Sequence, residues 1–120
     1  MLNLNSLMVG TSQPEVMSEF YTKIFAKPAD MVDGDWHGWL VGKAFFSVGK
    51  HSEISGKSKE PQRLIFNLET KEVKEEFDRM KSLGAQVIKE PYEMESMMIA
   101  TLADPDGNYF QLMTPWETGE

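Results

Sequence analysis

The chain has 120 residues, 41% of them hydrophobic, and a formal net charge of −7, which bounds it to one domain able to bury roughly 65% of its unfolded surface. With 12 Lys and Arg against 19 Asp and Glu and no basic run, it is not expected to bind nucleic acid or an anionic membrane, since both need clustered positive charge. The lack of cysteine removes disulfides, thiolate metal sites and a Cys nucleophile; no apolar run approaches the roughly 18 residues of a membrane span and no basic-then-apolar leader opens the chain, so a cytoplasmic protein is expected.

Residues 2–9 alternate loosely, as a strand does, and meet Thr11-Ser12-Gln13-Pro14-Glu15. Ser12 and Glu15 have capping-box spacing, and Pro14 falls in the first turn, where its missing N–H costs nothing. Val16, Phe20 and Ile24, joined by Met17 and Tyr21, form an apolar stripe that predicts a first helix over about 13–25. Residues 29–48 hold three short strand candidates separated by Asp33-Gly34-Asp35 and Gly42-Lys43, the pattern of a meander.

From 49 to 62 the composition turns polar, with Gly56 and Pro61; a linker is expected over about 51–61, between a first module at about 1–50 and a second at about 62–116. The second module opens with a strand over 63–68. A helix over about 71–83 follows, with Val73, Phe77, Met80 and Leu83 buried, Lys71, Lys74, Glu75 and Arg79 solvated, and Gly84 as its stop. Strands over 86–89, 97–102 and 109–113 complete it, with Pro91 separating the first of them from a loop.

The run from Ala100 to Pro115 carries the most information. Two apolar segments flank Asp104-Pro105-Asp106-Gly107-Asn108, a β-hairpin in which Pro105 presets φ and Gly107 and Asn108 tolerate positive φ. The phrase A-x-L-A-D-P-D-G-N-x-F-Q-L resembles the closing hairpin of the vicinal oxygen chelate superfamily, which includes glyoxalase I, extradiol dioxygenases, and bleomycin and fosfomycin resistance proteins. Glu15-Val16-x-x-Glu19-Phe20 recurs as Glu72-Val73-x-x-Glu76-Phe77, each copy after a strand-like run, as a duplication would leave it. The resemblance implies an α+β fold of two βαβββ modules, forming a concave mixed sheet with helices on the outer face.

Strand parity then places side chains, with the more apolar set of each strand facing the helix. It sends Leu64, Phe66, Leu68, Phe110, Leu112, Phe46 and Val48 to the core. It leaves Asn5, Leu7, Val9, Phe45, Ser47, Arg63, Ile65, Asn67, Tyr109, Gln111 and Met113 to the concavity. Of these, Asn5, Phe45, Ser47, Arg63, Asn67, Tyr109 and Gln111 are the candidate ligand-binding residues, a mixed lining suited to a small molecule.

Metal-using relatives carry their ligands near the start of the first strand and on the last strand of each module. By that resemblance the positions here are Asn5, Ser47, Arg63 and Gln111. Neutral donors and a fixed cation do not make a divalent site, so neither metal nor other cofactor is expected. His37 and His51 fall outside those positions; Trp36, His37 and Trp39 are read as a pocket rim, with core or dimer contact as the plainer role of the tryptophans.

No G-x-S-x-G, H-E-x-x-H, P-loop or G-x-G-x-x-G occurs, and no catalytic residue is assigned. Glu15, Glu19, Glu75 and Glu76 read as solvated helix faces. Glu93 and Glu95 are placed on a loop, and Met94, Met97 and Met98 read as core filling or an adaptable ligand surface. The leading expectation is a metal-free, homodimeric glyoxalase/bleomycin-resistance-like protein binding a small molecule, with Arg63 as a buried cation suited to an anionic one. A metal-dependent lyase or dioxygenase of the same superfamily is the alternative, and a non-catalytic interaction module the second.

Overall fold

The computed structural model describes residues 1–116. The elements run β1 (Ser6–Thr11), α1 (Pro14–Phe25), β2 (Met31–Asp33), β3 (Trp36–Val41), β4 (Ala44–Lys50), β5 (Phe66–Glu69), α2 (Val73–Ser82), β6 (Gln86–Met94), β7 (Met97–Ala103) and β8 (Tyr109–Met113). This is the βαβββ order twice over, an α+β fold. Each module builds its own four-stranded mixed sheet, β1-β4-β3-β2 in one and β5-β8-β7-β6 in the other. The first strand of each runs parallel to the last, because a helix and two strands intervene, while the hairpin-linked strands are antiparallel. The chain divides into two compact units, Met1–Gly56 and Lys57 onward.

In the first unit α1 buries Met17, Tyr21 and Ile24. Tyr21 lies 4.6 Å from Phe46 between ring centroids, and Phe25 lies 5.2 Å from Phe46 and 5.7 Å from Trp39. This cluster is the unit's core, and aromatic groups in such tilted and edge-on geometry add to what their burial contributes. Trp39, read from the sequence as pocket rim or as core, takes the core role: it is fully enclosed there, and its indole N–H donates to the Lys27 carbonyl at 3.2 Å. Val16, predicted in the stripe, is 47% exposed, because a helix turns 100° per residue and the buried face is set by Met17 rather than by its neighbour.

The second unit packs α2 through Val73, Phe77 and Met80, with Phe66 stacked on Phe110 at 5.6 Å. Leu83, predicted in that stripe, is exposed and forms the C-cap, and Gly84 follows at φ 100°. Leu64, placed in the core by parity, is 84% exposed: the strand starts only at Phe66, and parity has no meaning outside it.

The two helices enter by one device. Thr11 Oγ1 accepts the Gln13 N–H and Thr70 Oγ1 accepts the Glu72 N–H, in place of the capping box expected from Ser12 and Glu15. Val73 is buried where Val16 is exposed, so the Glu-Val-x-x-Glu-Phe copies do not occupy equivalent positions. The duplication shows instead in the topology and in these two threonine turns.

Pro91 does not end β6. It sits where the β6–β7 register shifts between Lys89 and Tyr92, on the outer strand of the sheet, where a missing N–H is tolerated. Glu93 therefore belongs to β6, and Glu95 and Ser96, at φ 50° and 64°, make the two-residue turn into β7. The closing hairpin is organised by Asp104, which is 4% exposed. Its Oδ1 accepts the N–H groups of Asp106 (2.9 Å) and Asn108 (3.0 Å), and Asn108 Nδ2 donates to its Oδ2 at 3.0 Å. Gly107 takes the positive φ, 81°, that the turn requires.

Candidate functional site

Paired residues in neighbouring strands project to the same face of a sheet, so the register decides which side chains are away from the helix. In the first sheet Phe46 pairs with Trp39 and Leu7, and Val48 with His37 and Val9. These belong to the helix side, which corrects the placement of Leu7 and Val9 in the concavity. The opposite, open face carries Ser6, Met8, Phe45, Ser47, Gly38 and Trp36. Asn5 lies just outside β1, is exposed, and its carbonyl accepts the Phe45 N–H at 2.9 Å.

Two glycines shape that open face. A Cβ at Gly49 would fall inside the Trp36 indole, and one at Gly38 would fall inside the Phe45 ring. Both rings are thus pressed against the sheet, each over a residue with no side chain to lift it. Ser47, two residues from both Phe45 and Gly49, is 6% exposed between them. His37 is on the other face, its ring centroid 6.5 Å from that of Trp39 and its Nδ1 buried with no hydrogen-bond partner.

In the second sheet the register draws one polar row across the open face, Asn67–Gln111–Thr101–Lys89. Gln111 Nε2 donates to Thr101 Oγ1 at 3.2 Å, which directs its Oε1 away from the threonine as an acceptor. Thr101 is 6% exposed, Tyr109 and Gln111 are half-buried and Asn67 is exposed. Lys89 Nζ sits 4.6 Å from the Tyr92 ring centroid.

Asn67, Tyr109 and Gln111 therefore share the face that parity assigned them, and Phe45 and Ser47 share theirs. Arg63 is elsewhere. It precedes β5 in a turn, pairs with Glu60 at 3.0 Å, and both side chains are about 70% exposed, so it is not a buried cation. Thr101, Lys89 and the ring-covered glycines were not singled out from sequence. A glycine inside a strand, as at Gly38 and Gly49, is the signal that marks such a close approach.

The donors do not fit a divalent metal. Ser47 and Gln111 are neutral, and Arg63 is a cation in solvent. Among the described residues no three of His, Cys, Asp and Glu gather closely enough to hold an ion, and His51 Nδ1 accepts the Glu53 N–H at 3.1 Å. Off both open faces, Asp30 is held below its ordinary value by hydrogen bonds from Lys27 and then the Leu40 N–H, and Arg79 is raised by its hydrogen bonds to Glu76.

No helix among the described residues is long and apolar enough to cross a membrane. A search of curated proteins finds no match. The fold is shared with a glyoxalase-related enzyme from Fulvimarina pelagi (12% identity over 96% of this chain and 89% of that one, TM-score 0.78). A glyoxalase/bleomycin resistance protein/dioxygenase family enzyme from Burkholderia phytofirmans PsJN is similar at 23% identity over 94% and 98%, TM-score 0.76. So is a glyoxalase/bleomycin resistance protein/dioxygenase from Nocardioides, at 13% over 100% and 87%, TM-score 0.77. The model of the glyoxalase-like domain matches residues 6–113, and with duplicated βαβββ modules and the Asp104 hairpin beneath that match, the chain belongs to the glyoxalase-like domain family of the vicinal oxygen chelate superfamily.

Proposed function

We propose that this chain binds a small organic molecule on the open faces of its sheets without a divalent metal, as a homodimer in the cytoplasm. The observation that carries the reading is the row Asn67–Gln111–Thr101–Lys89. Gln111 stands where metal-using relatives are expected to place a ligand, yet it is a neutral amide tethered to Thr101. Such a row offers a ligand hydrogen-bond acceptors at Gln111 and Asn67, donors at Asn67 and Lys89, and no anionic oxygen for an ion. A neutral acceptor and a donor placed on a rigid sheet give orientation and selectivity rather than proton transfer.

Elemental analysis of protein purified without chelator and then dialysed tests the metal half of the reading. Far less than one equivalent of any divalent ion is expected. Near-stoichiometric metal, removable only by strong chelator, would overturn it in favour of a metal-dependent lyase or dioxygenase.

A further inference from the structure

The geometry points to a flat aromatic cation as the ligand class of the first sheet. This rests on the reading of the open faces as ligand-binding surfaces and says what one of them takes. Trp36 and Phe45 lie over Gly49 and Gly38, closer to the backbone than any side chain there would allow, which leaves the outer side of each ring turned away from the strands. Two glycines placed under two rings keep both rings low on the sheet, since any side chain there would push the ring off the backbone. Around them the face is apolar and open: Met8 is 68% exposed, Leu40 55% and Met31 42%. A flat π-system recovers most of its stacking area on such a surface.

The charge comes from one end. Asp33 is the direct partner of Trp36 in the β2–β3 register, hence on the same face, and Asp35 follows across the Gly34 turn; both are exposed. Lys43, in the β3–β4 turn, is at the other end of the strands, and Lys50, next to Gly49, has the opposite parity and so belongs to the helix side. A cationic ring stacked on Trp36 meets the indole face and the Asp33 carboxylate together, while an anionic ring of the same size meets repulsion there and from a chain of net charge −7.

Quenching of tryptophan fluorescence by proflavine, a flat tricyclic cation, tests the assignment against anthracene-9-carboxylate, a tricycle of similar size and opposite charge. Saturable binding of proflavine is expected, at least about tenfold tighter than the anion. Calorimetry should find it weakened at least about tenfold by Trp36→Leu and about threefold to tenfold by Asp33→Asn. The second variant changes only an exposed side chain at the end of β2, so it keeps the test decisive should the first fail to fold. Equal affinity for the two probes, or proflavine binding indifferent to Asp33→Asn, overturns the proposal. So does a dimer that Leu40→Glu splits while proflavine leaves the spectrum unchanged, which would make this face a contact between copies. Retention of a metabolite that Gln111→Leu releases, with no proflavine binding, overturns this assignment and leaves the broader reading standing; capture of neither overturns both.

Discussion

Replacing Asp104 by alanine removes the side-chain acceptor that holds the closing hairpin. The side chain is 4% exposed and its Oδ1 serves the N–H groups of Asp106 and Asn108 at 2.9 and 3.0 Å. Asp106 is itself 4% exposed, so its N–H loses its acceptor where water cannot readily replace it. A donor left in that state costs about 1–3 kcal/mol, and the half-buried Asn108 N–H adds a smaller amount. The sum is roughly 2–4 kcal/mol, a melting point lower by about 10 °C for a domain of this size. Asp104→Asn keeps a carbonyl oxygen for both N–H groups but turns its amide toward Asn108 Nδ2, donor against donor, and should cost about 1 kcal/mol. Urea titration followed by circular dichroism reads all three proteins. The reasoning is refuted if Asp104→Ala stays within about 0.5 kcal/mol of wild type, or if the asparagine variant is as damaged as the alanine one.

Val16→Ala should leave stability within about 0.5 kcal/mol while Val73→Ala costs about 1–3 kcal/mol, despite their matching places in the sequence repeat; equal losses in thermal melts would contradict the helix register. Gly49→Ala must displace the Trp36 indole, costing about 1–3 kcal/mol and shifting tryptophan emission to the red. Acid sensitivity should follow Asp30: its folded pKa lies below its ordinary value, so its contribution is present above about pH 4 and lost as pH falls through the folded value. Asp30→Asn should therefore flatten the fall in stability below pH 4, as measured by urea unfolding at a series of pH values, and an unchanged slope would remove Asp30 from the account. Light scattering at micromolar concentration should report about twice the 13.7 kDa chain mass, with Trp116, 71% exposed, one aromatic side chain available to such a contact; a monomer would contradict the dimer.

The Asp-Pro-Asp-Gly-Asn phrase was legible because its chemistry is local: a proline, a glycine and a capping carboxylate specify a turn wherever they stand. The alternation of Phe110 and Leu112 against Tyr109, Gln111 and Met113 was legible for a similar reason, since strand parity needs only a correct start. Where the start was wrong, parity failed with it. Leu64 and Arg63 precede β5 and are in solvent, and Leu7 and Val9 fell to the helix side because β1 pairs Leu7 with Phe46. Trp39 against Trp36 could not be sorted without the partner strand, because both are aromatic and three residues apart. Thr101 gained its meaning only from the β7–β8 register, which sets it beside Gln111, and nothing in a single strand announces its neighbour.

The central claim is metal-independent ligand binding at the polar row of the second sheet. Nitrogen–proton correlation spectra of chelator-treated protein, recorded before and after addition of a metabolite mixture, test it most directly. The account predicts shifts at the Gln111 and Asn67 side-chain amides and at the Thr101 backbone, with no divalent ion present and none of them in a Gln111→Leu variant. Shifts that arise only once a divalent ion is supplied, or that leave this row untouched, would contradict it.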